Sequence, residues 1–343
     1  KSGTVASTTR SIVVNVLLKH VQEKGIPIYY SHAVTNADSS KRTVTFDTKN
    51  GIKSIMCDCL VVADGYKSRA RQALQQQESS TLQVRQWSWP LTFRVLVSDK
   101  KEAQELDPSI HYIFNSIYAA ELRDGRWAVV TACQSEQEAF LLSNQATETN
   151  LEKLEAYLKN KAPMVKDMFS DEELHKYFSR ASFAGAVTWV SELVVDGWAL
   201  LIGDAAHSTF PATGEGVNAS LEDAYVLSQV MEKAQDSASM QDILSTFQKE
   251  RLADSQALST IAYSAIRPSK LQILQKLALK ASCGLLSGSK RLGTNPIQEL
   301  LFGPLSAETI TPYSEIVNEW QEQLKYVGGR PQLPLDGDKY QDY

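Results

Sequence analysis

Residues 198–224 read WALLIGDAAHSTFPATGEGVNASLEDA, and this stretch decides how the rest of the chain is interpreted. Trp198 to Ile202 form a short apolar run of the kind that a sheet buries on both faces, and Gly203-Asp204 follow at its carboxyl end. Open α/β sheets bind their ligands at that end. A helix is predicted from Val217 to Lys233, with its positive end towards the intervening loop. We therefore predict a strand, a ligand-binding loop and a helix in succession.

The two loop glycines allow two interpretations. Gly214-x-Gly216-x-x-Ala219 superficially matches the fingerprint that opens a dinucleotide-binding βαβ unit. That fingerprint needs its first glycine directly after a strand, whereas ten residues, including Pro211, separate Gly203 from Gly214. We therefore reject the match and interpret both glycines as positions where the backbone approaches a bound group closely.

Size and charge limit the classes of function. The 343 residues can bury a sizeable core in one large or two interlocked domains. A net charge of −5 gives no basic surface for nucleic acid. The sequence contains no apolar run long enough to predict a transmembrane helix. These features are typical of an ordinary globular protein.

The four cysteines are too few and too scattered for a disulfide framework. They favour an intracellular, reducing compartment, cytoplasmic or organellar, over secretion. Cys57-x-Cys59 lacks the second cysteine or histidine pair that would complete a zinc site, and the histidines show no metal-ligand spacing. We predict no metal site, and we expect this pair to be buried thiols on one face of a strand.

A second strand-end motif lies upstream. Asp58 to Ala63 is predicted as a buried strand that delivers Asp64-Gly65 at its carboxyl end, and a helix is predicted over Ser68 to Gln77. Ligand binding is one interpretation of this motif. In the alternative, Ser68 merely caps the helix and Arg71 is a solvated charge in its first turn.

Hydrophobic periodicity and turn residues predict the other elements. The first helix, Ile12 to Lys24, should bury a stripe formed by Val13, Val16, Leu17 and Val21, and the helix after the loop should bury Val217, Leu221, Ala224 and Leu227. The predicted strands are Ile28–His32, Arg42–Asp47, Ile52–Val62, Leu91–Val97, Ile113–Leu122 and Arg126–Cys133. Further helices are predicted at Leu151–Leu158, Met240–Ile261 and Lys270–Leu286, with a capping box at Ser170 and Glu173.

Aromatic residues are frequent in the β-rich middle of the chain. Packing in a sheet core is one interpretation of each of them, and lining an aromatic pocket is the other. They are Trp87, Trp89, Phe93, Tyr112, Phe114 and Tyr118.

The string Gly-Asp-Ala-Ala-His, then Pro211, then Gly-x-Gly-x-Asn, then Glu222-Asp223-Ala224 closely resembles the second flavin motif of the FAD-dependent aromatic hydroxylases. These are the class A flavoprotein monooxygenases related to para-hydroxybenzoate hydroxylase. Asp64-Gly65-x-x-Ser68-x-x-Arg71 resembles the Asp-Gly motif of the same family, in the family's order. A weaker similarity to the kynurenine 3-monooxygenase branch comes from Phe247, Arg251, Asp254, Ala257 and the segment from Pro312-Tyr313 to Trp320.

The resemblance implies an α/β fold with an FAD/NAD(P)-binding, Rossmann-like domain, an inserted β-sheet substrate domain and C-terminal helices. Residues 1–80 and 191–260 would form the two parts of the FAD-binding domain, and 81–190 the substrate domain. Residues 261–327 would form a C-terminal helical region and 328–343 a flexible tail.

The resemblance also implies site residues. Arg10 would contact the flavin pyrophosphate or ribityl region, and Asp204, after Gly203, would bind the ribityl hydroxyls. Pro211 would lie beside the reactive edge of the flavin ring and is the one catalytic candidate. The flavin would also be held by Asp64, Gly65, Arg71, Gly214, Gly216, Val217 and Asn218. His207 is expected to be structural.

The implied function is hydroxylation of a small aromatic substrate with FAD, NAD(P)H and O2. No segment of this sequence matches the glycine-rich βαβ unit with which family members begin. Either the sequence is part of a larger flavoenzyme, or the unit has been lost. In the second case the protein would be a catalytically silent subunit of an assembly, and a protein partner would cover the face that the missing unit leaves.

Overall fold

A computed structural model describes residues 10–99, 106–114, 117–235, 237–266 and 312–318. The chain forms two compact units. One comprises Lys1–Ile28 with Trp89–Ala184, and the other comprises Tyr29–Ser88 with Gly185–Tyr343. The first is called the β-sheet unit below and the second the motif unit. The predicted domain limits remain a prediction.

A small sheet in the motif unit carries both motifs. Its strand order is β11 (Val194–Val195), β12 (Ala199–Leu201), β4 (Leu60–Val62). Strands β12 and β4 are parallel, with Leu201 opposite Val62, so their carboxyl ends are level. All three residues of β12 are buried, as the continuous apolar run predicts for a strand covered on both faces.

A three-stranded antiparallel meander precedes β4. It consists of β1 (His32–Asp38), β2 (Thr43–Thr48) and β3 (Gly51–Met56). The last two are joined by Lys49-Asn50, one residue before the predicted turn at Asn50-Gly51, because Gly51 already pairs with Thr48. The predicted strand Ile28–His32 is wrong, because the chain turns at Ser31, whose φ is 58°, and pairing begins only at His32.

The run Ile52–Val62 was predicted as one strand and is two. Strand β3 ends at Met56 and β4 begins at Leu60, so Cys57 and Cys59 lie between strands and not on one face of a strand. Both thiols are only half-buried, and burial is nevertheless the main reason that their pKa values are raised.

Helices flank the sheet of the motif unit, and a two-stranded ladder adds to the unit. The ladder pairs β5 (Val84–Ser88) with β10 (Ala186–Val190). The helices are α2 (Arg69–Gln75), α5 (Asp204–His207), α6 (Gly216–Lys233) and α7 (Met240–Ile266), with a 3-10 turn at Pro211–Thr213. Helix α6 has the predicted extent, and α7 extends beyond the predicted Ile261.

The packed face of α6 differs from the prediction. The buried residues are Ala219, Asp223 and Val230, whereas Val217 and Leu221 are 54% and 48% exposed. Leu227 of the predicted stripe is partly buried against the core, but the inward face also contains a carboxylate, that of Asp223, which has buried hydrogen-bond partners.

The β-sheet unit contains a four-stranded antiparallel sheet. Its order is β6 (Thr92–Val97), β9 (Trp127–Cys133), β8 (Ile117–Glu121), β7 (Tyr112–Phe114). The prediction of one strand over Ile113–Leu122 is wrong, since β7 and β8 are antiparallel neighbours. Asn115 and Ser116, residue types common in turns, lie between them in sequence.

One face of this sheet forms the core with the helices α3 (Glu148–Lys161) and α4 (Asp171–Ser179) and the 3-10 helices Glu136–Leu142 and Pro163–Met168. Ser170 caps α4 by accepting from the Glu173 amide, as predicted. The Glu173 side chain does not complete the capping box, because it binds Arg180.

Helix α1 (Arg10–Glu23) forms where a helix was predicted, but none of its residues is buried. The expectation of a packed stripe at Val13, Val16, Leu17 and Val21 is therefore wrong. The predicted helix Lys270–Leu286 and the tail 328–343 lie outside the described residues.

Candidate functional site

The two motifs meet at one edge of the β4–β12 pair. Asp64 follows β4, Asp204 follows β12, and both residues are exposed. Because the parallel strands end level, the two loops lie side by side at the edge where α/β sheets bind ligands. The structure thus brings together two motifs that are separated by more than a hundred residues of sequence.

Gly203 makes the turn that presents Asp204. Its φ of 55° and ψ of −142° lie in a region that only glycine adopts readily. A Cβ at this position would stand 2.9 Å from Ser220 Oγ on α6, so the backbone of the turn lies directly against that helix. Both backbone angle and space therefore require glycine here.

A buried carboxylate holds this turn from behind. Asp223 Oδ2 accepts from the Gly203 amide at 2.8 Å and from His207 Nε2 at 2.6 Å. Asp223 Oδ1 accepts from two nitrogens of Arg251, at 3.1 and 2.9 Å. Burial alone would raise the pKa of Asp223, but the hydrogen bonds from His207 and Gly203 and the charge of Arg251 lower it overall. His207 is thus a structural residue, as expected.

The Asp-Gly loop is held by Arg71. The Ser68 hydroxyl accepts from the Arg71 amide and caps α2, as the helix-cap interpretation proposed. The same interpretation made Arg71 a solvated charge, and that is wrong, because Arg71 is 1% exposed. Its guanidinium donates to the carbonyls of Ala205, at 2.6 Å, and Tyr66, at 2.8 Å. Burial lowers the pKa of Arg71 to about 10, against the opposing effect of Asp64.

The segment from Pro211 to Gly216 closes the other side of the site. Pro211 is exposed and begins a 3-10 turn, which ends at Gly214 with a φ of 70°. Gly216 begins α6, and a Cβ there would stand 4.0 Å from Asp204 Oδ1. The start of α6 and the Asp204 carboxylate therefore face the same space.

The amino end of α6 has no side-chain cap, since Glu215 makes no capping hydrogen bond. The Glu215 carboxylate instead accepts from the Tyr313 hydroxyl at 2.9 Å, and burial raises its pKa. Val217 and Asn218, in the first turn, are exposed. The positive end of the helix dipole therefore lies at an exposed part of the loop, where it would favour an anionic or electron-rich ligand.

Gly65 and Arg10 are two further predicted site residues. Gly65 has a φ of 87° and open space where a Cβ would stand. Arg10 is exposed and is the first residue of α1, in the β-sheet unit. Its contact with a cofactor remains a prediction, as do the cofactor roles of the residues in the motif unit.

The six aromatic candidates divide into two groups. Trp87 is buried against Tyr263, and Tyr112 and Phe114 stack on each other at the sheet core. Phe93 and Tyr118 lie on the sheet face that is not part of this core, and Trp89 contacts Phe93 edge to face. Core packing is therefore right for the first three, and the pocket interpretation stays a prediction for the others.

The described residues contain no cluster of histidine, cysteine, aspartate or glutamate suited to a metal ion. In the same part of the chain, no helix has the length and apolar composition needed to cross a membrane.

Sequence comparison identifies the family of the chain. A profile of the FAD binding domain matches residues 3–262. The chain belongs to this FAD-binding family. FAD is the cofactor that the family's fold serves. The part that the two strand-end loops play in binding it remains a prediction.

Several curated relatives are monooxygenases or related synthases. The chain is 24% identical over 242 residues to violacein synthase of Chromobacterium violaceum, covering 67% of this chain and 54% of the relative. It is 22% identical over 263 residues to kynurenine 3-monooxygenase of Cytophaga hutchinsonii, covering 75% and 57%. The chain thus spans about half the length of the curated relatives it matches.

Solved structures show the same fold. The tetrameric form of 2-methyl-3-hydroxypyridine-5-carboxylic acid oxygenase superposes with a TM-score of 0.58 at 19% identity, covering 75% of this chain and 66% of the other. The p-nitrophenol 4-monooxygenase PnpA of Pseudomonas putida superposes with a TM-score of 0.55 at 17% identity, covering 81% and 69%. At these identities the comparison supports the FAD/NAD(P)-binding α/β fold alone.

The residues present fit a flavin. A cofactor with a hydroxylated chain and an electron-accepting ring needs an exposed hydrogen-bond acceptor, close backbone approach and a positive field. Asp204, the loop at Gly214 and Gly216, and the uncapped start of α6 have these properties.

Sequence reasoning missed the residues behind the site. Arg251 was noted only as a weak family similarity, and Asp223 only as part of a motif string. The available signal was a carboxylate among apolar positions on α6 and an arginine on α7. Their spacing of 28 residues could not show that they meet.

Proposed function

We propose that this protein is part of an FAD-dependent monooxygenase that hydroxylates an aromatic or similar small organic substrate with NAD(P)H and O2. The observation that carries the proposal is the juxtaposition of Asp64, Asp204 and the uncapped start of α6 at the carboxyl ends of two parallel strands. An inserted β-sheet substrate domain and the absence of a glycine-rich βαβ unit from this chain are parts of the same proposal.

In this proposal Asp204 accepts hydrogen bonds from the ribityl hydroxyls. The turn beneath it holds the backbone of Asp204 at the strand end, so little backbone entropy is lost on binding. Pro211 lies on the exposed side of the loop, where a ring would pack against it.

The start of α6 would stabilise electron density on the flavin ring. Amides of the first turn and the positive end of the helix dipole would stabilise the negative charge that reduction adds to the ring. As a carboxylate, Glu215 would weaken this field. Burial raises the pKa of Glu215, and the hydrogen bond that the Tyr313 hydroxyl donates to the carboxylate opposes that rise.

FAD, when bound, supplies the redox chemistry that couples NAD(P)H to oxygen. The overall reaction consumes one substrate C–H bond, O2, NAD(P)H and a proton, and it yields the hydroxylated product, water and NAD(P)+. The chain itself needs no nucleophile or metal for this reaction. Its own residues would bind and orient the cofactor and the substrate, and would exclude water from the site.

The β-sheet unit supplies the proposed substrate face. Phe93 and Phe183 stack with their ring centroids 5.6 Å apart, and Tyr118 Oη lies 2.6 Å from His111 Nδ1. Burial lowers the pKa of His111, so a neutral imidazole is favoured beside the hydroxyl. This combination of flat apolar rings and one polar pair suits an aromatic substrate that carries a polar substituent.

The test is NAD(P)H oxidation by the full-length protein in the presence and absence of aromatic ligands. We expect a yellow protein whose NAD(P)H consumption is accelerated by its substrate, because flavin reduction in such sites depends on substrate occupancy. A colourless chain that is recovered only within a larger complex would instead support the silent-subunit alternative.

Asp204→Ala tests the site directly. Loss of a charge-assisted hydrogen bond should weaken FAD binding by roughly 1.5–3 kcal/mol, with little change in the melting temperature. The matched control is Asp58→Ala, an exposed aspartate just before the other end of β4. Equal flavin titrations for wild type and Asp204→Ala would remove Asp204 from the site.

A further inference from the structure

Three ionisable side chains are buried directly behind the proposed flavin loop. The side chains of His207, Asp223 and Arg251 are 1%, 2% and 3% exposed. Removing charges from water is costly, and apolar residues of similar shape often give equal or better stability. A need for stability alone therefore explains this network poorly.

The contacts of Asp223 show what the network does to the loop. The Gly203 amide and the His207 ring, at opposite ends of the five-residue turn that carries Asp204, both donate to Oδ2. A single oxygen on α6 thereby fixes both ends of the turn.

Arg251 fixes the carboxylate in the other direction. It donates two hydrogen bonds to Oδ1 from α7 and also pairs with Glu222 at 3.1 Å. The Asp223 carboxylate is thus oriented by the turn at Oδ2 and by Arg251 at Oδ1. Arg251 lies on α7, a helix that does not contribute to the strand-end loops.

We propose that Asp223 is a positioning residue for the flavin, which acts through the Gly203–His207 turn to hold the Asp204 carboxylate against the start of α6. The proposal rests on the function proposed above. The side chain of Asp223 is only 2% exposed, so in this proposal it does not contact the flavin itself. Its effect on flavin binding must therefore pass through Asp204, and this dependence separates positioning from general stabilisation.

The test is a double-mutant cycle on the full-length protein, with FAD affinity measured by fluorescence titration and stability by thermal unfolding. Asp223→Asn should weaken FAD binding about tenfold or more in the wild-type background. In the Asp204→Ala background it should change FAD affinity by less than about threefold, because the group that it positions is gone. The fall in melting temperature should be the same in both backgrounds.

Glu222→Gln is the matched control. Glu222 neighbours Asp223 on α6 and pairs with the same arginine, but it has no contact with the turn among the described hydrogen bonds. Its FAD affinity should stay within about twofold of wild type. If Asp223→Asn does not fold, His207→Gln replaces it in the same cycle, since it leaves the Gly203 bond in place and should show the same dependence on Asp204.

The outcomes are distinct. Equal fold-changes in FAD affinity in the two backgrounds overturn the positioning role and leave the proposed function intact. A full-length wild-type protein that does not take up FAD overturns both proposals.

Discussion

The two strand-end loops are similar in design and opposite in electrostatics. In each, a strand ends in an exposed aspartate, and a buried arginine holds the loop. Arg71 donates only to neutral carbonyls, and its pKa is lowered to about 10. Arg251 is also desolvated, but the carboxylates of Asp223, Glu222 and Asp254 outweigh burial and raise its pKa. Burial alone therefore does not decide whether the charged form of an arginine is favoured, because the charges and hydrogen bonds of its neighbours also contribute.

Replacing each arginine by methionine should give the largest difference between the loops. Arg251→Met leaves Asp223 buried without its cation and should cost roughly 3–5 kcal/mol of unfolding free energy. Arg71→Met removes a desolvated charge together with two hydrogen bonds and should cost roughly 1–3 kcal/mol. Chemical denaturation of both variants checks the order. A larger loss for Arg71→Met would contradict the electrostatic contrast.

Glycine replacements compare the backbones of the same loops. Gly203→Ala adds a Cβ that meets Ser220 Oγ in a conformation alanine rarely adopts, and should cost roughly 2–4 kcal/mol. Gly65→Ala has open space around its Cβ, so only the positive φ opposes it, at roughly 1–2 kcal/mol. Thermal unfolding of the two variants measures both effects. Similar losses would show that the contact with α6 is unimportant.

Acid should remove the contribution of Asp223 to stability, a smaller effect than those of the substitutions above. Because the folded protein lowers the pKa of Asp223 from 3.8, this group contributes stability that is present above pH 3.8 and is lost as pH falls through the lower, folded-state value. Each unit of lowering corresponds to about 1.4 kcal/mol. The difference in unfolding free energy between wild type and Asp223→Asn should therefore be constant above about pH 5 and narrow below pH 3.8. A constant difference down to the acid transition would contradict the assignment.

The sequence by itself determined the elements that depend on local order. The apolar run of β12, the presence of a turn between β2 and β3, the extent of α6 and the placement of both aspartates after strands follow from residue type and spacing. These features are predictable because each depends on neighbours within a few positions in the chain.

Tertiary structure decided which faces are buried and which charges meet. Val217 and Leu221 of the predicted apolar stripe of α6 remained exposed, whereas Asp223 turned inwards. Its burial is tolerable because His207, Gly203 and Arg251 supply hydrogen bonds. One interpretation of the sequence placed Arg71 in solvent. The side chain is instead buried and donates a hydrogen bond to the carbonyl of Ala205, a residue 134 positions away. Periodicity cannot reveal such partners, because the free energy of a buried polar group depends on atoms that only the folded chain brings within hydrogen-bond distance.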